Sequence, residues 1–311
     1  MIVVSGEALM DVFDLGPTAT GHTLDARIGG SPLNVAIGLA RLGQAVRFFG
    51  GVSRGFLGER LMAAMTQEGV DTTLVQRTDA PTTLSLVGVR AGGVPDYAFY
   101  SHGAAEQQLP LSALAAVAGA APAAAAYHFG SYAMVIEPTG STLRTLVERE
   151  GQRSVIAYDP NVRLNVEPDL SRWRSVIDWM VPRTHLFKVS EEDLSLLYPS
   201  QALDDLAAGW LAAGAALVVV TRGGEGALAW SAAGHVQAAP VPVDVVDTVG
   251  AGDTFQAMLL TGLSEMGLLS PAGVRGLTRD AIARLLSLAT QAAAITCSRR
   301  GADLPYRREV M

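Results

Sequence analysis

The chain contains a single cysteine, Cys297, so no disulfide framework holds it together. That residue ends the run Ala-Ala-Ala-Ile-Thr-Cys and reads as a buried helical thiol. Lysine- or arginine-rich runs are missing too; Arg299-Arg300 and Arg307-Arg308 are short pairs that read as solvated surface. With a formal net charge of −7 and a pI of about 5.3, the chain lacks the basic face of a nucleic-acid binder. The alanine-rich stretch Ala113 to Ala126 is broken by Gly119 and Pro122 and is too weakly apolar to span a bilayer. The opening Met-Ile-Val-Val-Ser has neither the charged region nor the long apolar run of a signal peptide. These absences predict a cytoplasmic protein without a nucleic-acid or membrane partner. The histidines (His22, His102, His128, His185, His235) show no metal-ligand spacing. There is no Gly-x-x-x-x-Gly-Lys-Ser/Thr P-loop, no Gly-x-Ser-x-Gly elbow and no catalytic cysteine motif, which excludes a Walker-type ATPase and the common nucleophilic hydrolases.

What is present describes a globular α/β protein. Hydrophobic residues make up 49% and charged residues 17% of 311 positions, enough for one large core and a single domain over residues 1–311. Short β-branched runs (Ile2–Ser5, Val46–Phe49, Val155–Tyr158, His185–Val189, Leu217–Thr221) alternate with helical patterns (Pro32–Leu42, Leu57–Glu68, Thr142–Glu150, Leu203–Ala213). That alternation predicts a mostly parallel central sheet with helices on both faces. In the helix after Gly30, Ser31 is placed to N-cap, Pro32 to take the first position and Gly43 to end it. Two places depart from the pattern. Thr82–Arg90 and Tyr97–Ser101 are strand-like around the hairpin signal Ala91–Asp96, and Val12–Phe13 and Leu24–Ile28 flank a turn-rich stretch. Segments near 12–28 and 82–101 therefore predict a small second sheet.

The chemistry concentrates in Asp247-Thr248-Val249-Gly250-Ala251-Gly252-Asp253-Thr254-Phe255. Small residues let successive N–H groups point into one concavity, and the apolar spacing of Phe255, Met258, Leu259 and Leu263 starts a helix there. The unpaired N–H groups of Gly250, Ala251 and Gly252 then make an anion hole, with Asp253 at its edge. Phosphoryl transfer to an alcohol needs that pairing: donors for the moving charge and a base for the hydroxyl proton. Other candidates follow strands. Asp11 lies just past the first strand, where ligands of open α/β sheets bind, and suits sugar hydroxyls. Asn34 offers a donor and an acceptor. Asp159-Pro160-Asn161-Val162-Arg163 puts an arginine at a strand end, suited to a negative oxygen. Thr221-Arg222-Gly223-Gly224-Glu225-Gly226 has the glycines for close approach to a nucleotide.

The run around Asp253 resembles the second signature of the PfkB, or ribokinase-like, family of sugar kinases. Gly29-Gly30-Ser31-Pro32-Leu33-Asn34-Val35-Ala36 resembles the first, more than 200 residues upstream. The resemblance extends from Ile2 to about Pro305 and implies a ribokinase-like fold whose small sheet is a lid over the sugar, with homodimers formed through that lid. It implies ATP, Mg²⁺ and K⁺ as cofactors. Asp253 becomes the base, Gly250, Ala251 and Gly252 the anion hole, and Asp11, Gly30, Asn34 and Arg163 the sugar contacts. Thr221, Gly223 and Gly226 meet the nucleotide. Where the family often has Asn-x-x-Glu near magnesium, this chain has Ser190 and Asp193, which implies an outer-sphere carboxylate. Asp247 and Val249 become oxygen ligands for K⁺, and Thr296–Ala302 a loop near the adenine. Gly6–Asp11 and Asp159–Arg163 resemble bacterial fructokinases, implying conversion of D-fructose to fructose 6-phosphate. 2-Keto-3-deoxygluconate kinase, ribokinase, nucleoside kinase and a non-catalytic sugar-binding module on the same fold are the alternatives.

Overall fold

The structure, a computed structural model, describes residues 1–89 and 95–310. The turn signal at 91–94 lies outside the described residues. In chain order the strands are β1 (Ile2–Ser5), β2 (Leu9–Pro17), β3 (His22–Gly29), β4 (Val46–Phe49), β5 (Gly51–Ser53), β6 (Gln76–Thr78), β7 (Leu84–Val89), β8 (Pro95–Tyr100), β9 (Ala126–Gly130), β10 (Val155–Asp159), β11 (Leu186–Ser190), β12 (Leu217–Thr221), β13 (Ala227–Ser231) and β14 (Gly234–Ala238). The main sheet runs β14-β13-β12-β11-β10-β9-β1-β4, parallel from β4 through β12 and antiparallel at the β13–β14 edge.

Its central strands are buried on both faces, and alternation divides their side chains between two cores. Ile2, Val4, Leu217 and Val219 join the core beneath the helices Ser31–Arg41, Ala251–Glu265 and Arg279–Cys297. Val3, Val218 and Val220 join the core on the other face, with Phe129, Trp173, Phe187 and Trp210. Helices therefore cover both faces, as the sequence predicts.

The predicted strands and helices fall within a few residues of the observed ones. The sequence reading has no strand at β9, which lies in mid-sheet between β1 and β10. Its sequence, Ala-Tyr-His-Phe-Gly, is wholly buried, so it shows no polar alternation, and an alanine-rich stretch hides its start.

The second sheet is present, in the order β3-β2-β7-β8. Strand β2 leaves the core at Leu9 and Met10 and reaches solvent at Leu15. Pairing of β2 with β7 sets Asp11 opposite Ser85. A short parallel pair, β5–β6, completes the strands among the described residues. The parallel strands β1, β9, β10, β11 and β12 end at Ser5, Gly130, Asp159, Ser190 and Thr221, and the chain after each of these ends feeds one side of the sheet.

Candidate active site

A cleft of about 1360 Å³ opens along that side. Asp11, Gly30, Asn34, Arg163, Asp193, Thr221, Gly223, Gly226, Val249, Gly250, Ala251, Gly252 and Asp253 all line it. The structure thus brings together every proposed site residue except Asp247, which lies just behind the wall.

At one end Asp253 is only 8% exposed. Ser31 Oγ donates to its Oδ1 at 2.6 Å, and Asn34 Nδ2 donates to its Oδ2 at 2.8 Å. Both donors come from the first turn of the Ser31–Arg41 helix, so two segments distant in sequence meet on one carboxylate. This corrects the expected cap. The capping position belongs to Gly30 (φ 105°), and Ser31 is the first helical residue with its hydroxyl turned to Asp253. A serine before a proline fits either position by spacing, and a buried carboxylate decides which. Burial pushes the Asp253 carboxyl above the usual range; the two hydrogen bonds and Lys188 pull it down, and Asp159 pushes it up.

Asp11 is likewise raised by burial, with Ser85 and Arg163 opposing and Asp253 adding to the rise. Arg163 is exposed to the cleft and donates through Nη1 to the Val162 carbonyl at 2.9 Å. Asp193, buried, accepts from Val162 N–H at 3.1 Å and so ties the loop after β10 to the helix Glu191–Leu197. Ser190 caps that helix, accepting from Asp193 N–H at 3.0 Å. Desolvation, aided by the nearby Asp159 charge, pushes Asp193 up to about 6.

The turn before the Ala251–Glu265 helix is left-handed at Gly250 (φ 80°), and a Cβ there would come within 2.8 Å of Ala302. Only glycine meets both constraints. The N–H groups of Gly250 and Gly252 have no protein acceptor among the described residues, whereas Ala251 N–H donates to Thr248 O at 3.2 Å. Two N–H groups at this turn, not the expected three, are therefore free of a protein acceptor among the described residues. Asp247 ties the loops behind it: Oδ1 accepts from Val249 N–H at 3.1 Å and Oδ2 from Gly301 N–H at 2.8 Å.

At the other end Thr221 closes β12, and Gly223–Glu225 forms the tight turn into β13. Facing it, Pro240, Val241, Val243 and Val245 line the wall opposite Ala293, Ala294 and Cys297 of the long C-terminal helix. Cys297 is half-buried and faces this cleft, which corrects the reading of a buried thiol. Burial and Asp247 raise its thiol further, so it is not activated.

The pfkB family carbohydrate kinase description matches residues 1–308. The chain belongs to the pfkB family of carbohydrate kinases. It is similar to a fructokinase from Rhizobium leguminosarum bv. trifolii, at 34% identity over 309 residues covering 99% of this chain and 92% of that one. It is also similar to a fructokinase from Klebsiella pneumoniae, at 32% identity with 99% and 97% covered. The solved structure of a fructokinase with bound ATP from Xylella fastidiosa shares the fold, with a TM-score of 0.88, 24% identity, and 99% and 96% covered.

Several residues of this pfkB-family kinase's site escape a reading of motifs. Ser31 looks like a cap. Ser85 reaches Asp11 only through the β2–β7 pairing. Glu7 lines the cleft but is 1% exposed. Lys188, bonded to Asp159 at 2.6 Å with both side chains buried, had one signal: it is the only lysine of the chain and stands inside an apolar strand. Among the described residues no group of three or more His, Cys, Asp or Glu side chains is arranged to hold a metal, and no helix is long and apolar enough to cross a membrane.

Proposed function

We propose that this kinase is an ATP-dependent fructokinase, in which Asp253 takes the proton from a fructose hydroxyl as its oxygen attacks the γ-phosphorus of ATP. The P–O bond to ADP breaks, and fructose 6-phosphate and ADP leave. The observation that carries this reading is the buried Asp253, held by Ser31 and Asn34 beside the free N–H groups of Gly250 and Gly252. Those donors meet the charge that develops on the transferred group. When sugar binds, Asn34 and Asp11 turn to its hydroxyls, Gly30 allows close backbone approach, and Arg163 closes the pocket. Thr221, Gly223 and Gly226 approach the nucleotide, and the apolar wall from Pro240 to Val245 suits a flat base.

The donor set fits Mg²⁺ held on the nucleotide phosphates: Asp193 sits in the wall with one oxygen already engaged, which suits a hydrated ion that keeps its waters. Bound there, the ion neutralises phosphate charge. Asp247 and the Val249 backbone offer hard oxygens for K⁺ where two loops are tied together. We assign the β3-β2-β7-β8 sheet the role of lid, because it presents Asp11 and Ser85 to the cleft. Its exposed Leu15, Leu24 and Tyr100 suit pairing with a second copy. Dependence on ATP suits a cytoplasmic location.

ADP release measured with fructose, ribose, adenosine and 2-keto-3-deoxygluconate tests the assignment. We expect the highest kcat/KM with fructose, and Arg163→Ala to lower kcat on fructose more than it raises KM. Preference for the keto acid, with Arg163→Ala acting mainly on its KM, would transfer the assignment to the acid sugar, whose carboxylate Arg163 suits. No ADP release with any sugar would leave a binding module.

A further inference from the structure

Beneath the base lies an ion pair for which the reaction as described has no use. Lys188 Nζ donates to Asp159 Oδ2 at 2.6 Å, from neighbouring parallel strands and with both residues under 5% exposed. A Cβ added to Gly252 would sit 3.0 Å from Lys188 Nζ, so the ammonium presses on the first turn of the Asp253 helix, one residue before the base. Among the described residues Asp159 Oδ1 has no hydrogen-bond partner, and neither have two nearby buried atoms, His128 Nε2 and Gln256 Oε1. A buried pair left partly unsatisfied is a poor stabiliser compared with apolar residues of the same volume. Stability alone is a weak account of it.

We infer that Lys188 is a positioning residue whose ammonium keeps Asp253 ionised for proton acceptance, and that Asp159 sets how much of that charge Asp253 feels. The inference rests on Asp253 being the base. Taken out of water, a carboxylate prefers its neutral form, and a neutral carboxyl cannot take the hydroxyl proton. Ser31 and Asn34, from the first helix, face Asp253 as uncharged donors. Asp11 on β2 and Asp193 after β11 are themselves acids. His128 on β9 is held uncharged at neutral pH, pushed down to about 3 by burial and by Lys188. Arg163, after β10, acts on Asp11 and Glu7. Lys188 is the cation that bears on Asp253, and Asp159 is the anion that offsets it.

The test is the pH profile of kcat/KM for fructose in the full chain, with folding checked by thermal unfolding. Three variants serve: Lys188→Met, Asp159→Asn, and the two combined. The acidic limb should move to higher pH in Lys188→Met and to lower pH in Asp159→Asn, each by about one unit. The double variant strands no charge, and comparison with Asp159→Asn alone reads Lys188 even where Lys188→Met does not fold. A limb at the same pH in Asp159→Asn and the double variant overturns the inference, because a purely structural pair changes stability and rate without moving the limb. Asp253→Asn separates the two readings. If that variant keeps turnover, the base assignment falls; if it is inactive while the limbs stay put, only the role of Lys188 falls.

Discussion

Ser31 and Asn34 both bond to Asp253 inside the protein, whereas Val241, Val243 and Val245, at the other end of the same cleft, stand 39%, 37% and 64% exposed. On the proposed function, which sets sugar at the first end and nucleotide at the second, the difference follows from the two substrates. A sugar is a ring of hydroxyls, and discriminating among sugars takes polar side chains fixed in place. Buried polar groups must be satisfied before the ligand arrives, so they satisfy each other and exchange partners on binding. A nucleotide offers a flat base and a chain of anions. Backbone N–H groups serve the anions and apolar side chains cover the base, which in turn covers the valines. One end is organised in advance by side chains, the other by glycine backbone and by ligand.

The largest effect should come from breaking the organised end. Asp253→Asn keeps the shape and both neighbours but cannot accept a proton. Turnover should fall by on the order of 10²–10⁴, with fructose affinity changing far less. Steady-state kinetics with a direct binding measurement separate the two, and near-normal turnover would remove Asp253 from the chemistry.

The comparison also explains what the sequence makes legible. Gly250, Gly252 and Asp253 are close in sequence, and the roles proposed for them need only backbone and one carboxylate, so spacing alone exposes them. The parallel sheet is legible because β1, β4 and β12 are short β-branched runs between helical patterns. Strand β9 is hidden because, unlike the equally buried β1 and β12, its Ala-Tyr-His-Phe-Gly holds no β-branched residue. Ser31, Lys188 and Ser85 are hidden for another reason: their partners Asp253, Asp159 and Asp11 come from other elements, and only the closed fold sets them opposite. The same limit explains why spacing alone makes Ala251 N–H a free donor. Its bond to Thr248 is a detail of turn geometry that composition does not carry.

The second break concerns the backbone end. Gly250→Ala forces a side chain into a left-handed position and against Ala302. The turn must shift, and with it the two free N–H groups. A displacement near 1 Å at a reacting group costs about 10²-fold in rate. We expect kcat to drop and the KM for ATP to rise while the KM for fructose holds, because Ser31 and Asn34 come from a different helix. An equal rise in both KM values would show that the two ends are one cooperative unit and would dissolve the contrast.

The smallest effect sharpens the contrast through stability. Behind Asp11 two further acids are buried at 1% exposure, Glu7 and Glu106. Thr83 Oγ1 donates to Glu106 at 2.6 Å, and Tyr132 OH at 3.3 Å, but one oxygen of each glutamate has no partner among the described residues. Burial pushes Glu7 up to about 8 and Glu106 up to about 7, from an ordinary 4.5. Between pH 4.5 and 8 the unfolded chain has therefore released protons that the folded chain still holds. The unfolded state binds fewer protons, so stability falls as pH rises through that window and levels off above it. Asp193, pushed up to about 6, adds to the slope in the same direction, whereas the buried His128 and His185, pushed down to about 3 and about 4, oppose it up to their ordinary 6.5. The thermal midpoint should thus be lower at pH 8 than at pH 6.5, where the histidines no longer contribute a slope. The Glu7→Gln, Glu106→Gln double variant, which carries no ionisable group at either position, should flatten much of that slope and leave the share due to the other raised carboxyls, Asp193, Asp11 and Asp253. Differential scanning calorimetry at a series of pH values gives the answer. A wild-type midpoint that rises from pH 6.5 to pH 8, or a slope unchanged in the double variant, would mean that these carboxyls are solvated and that the Asp253 end is far less closed than its hydrogen bonds imply.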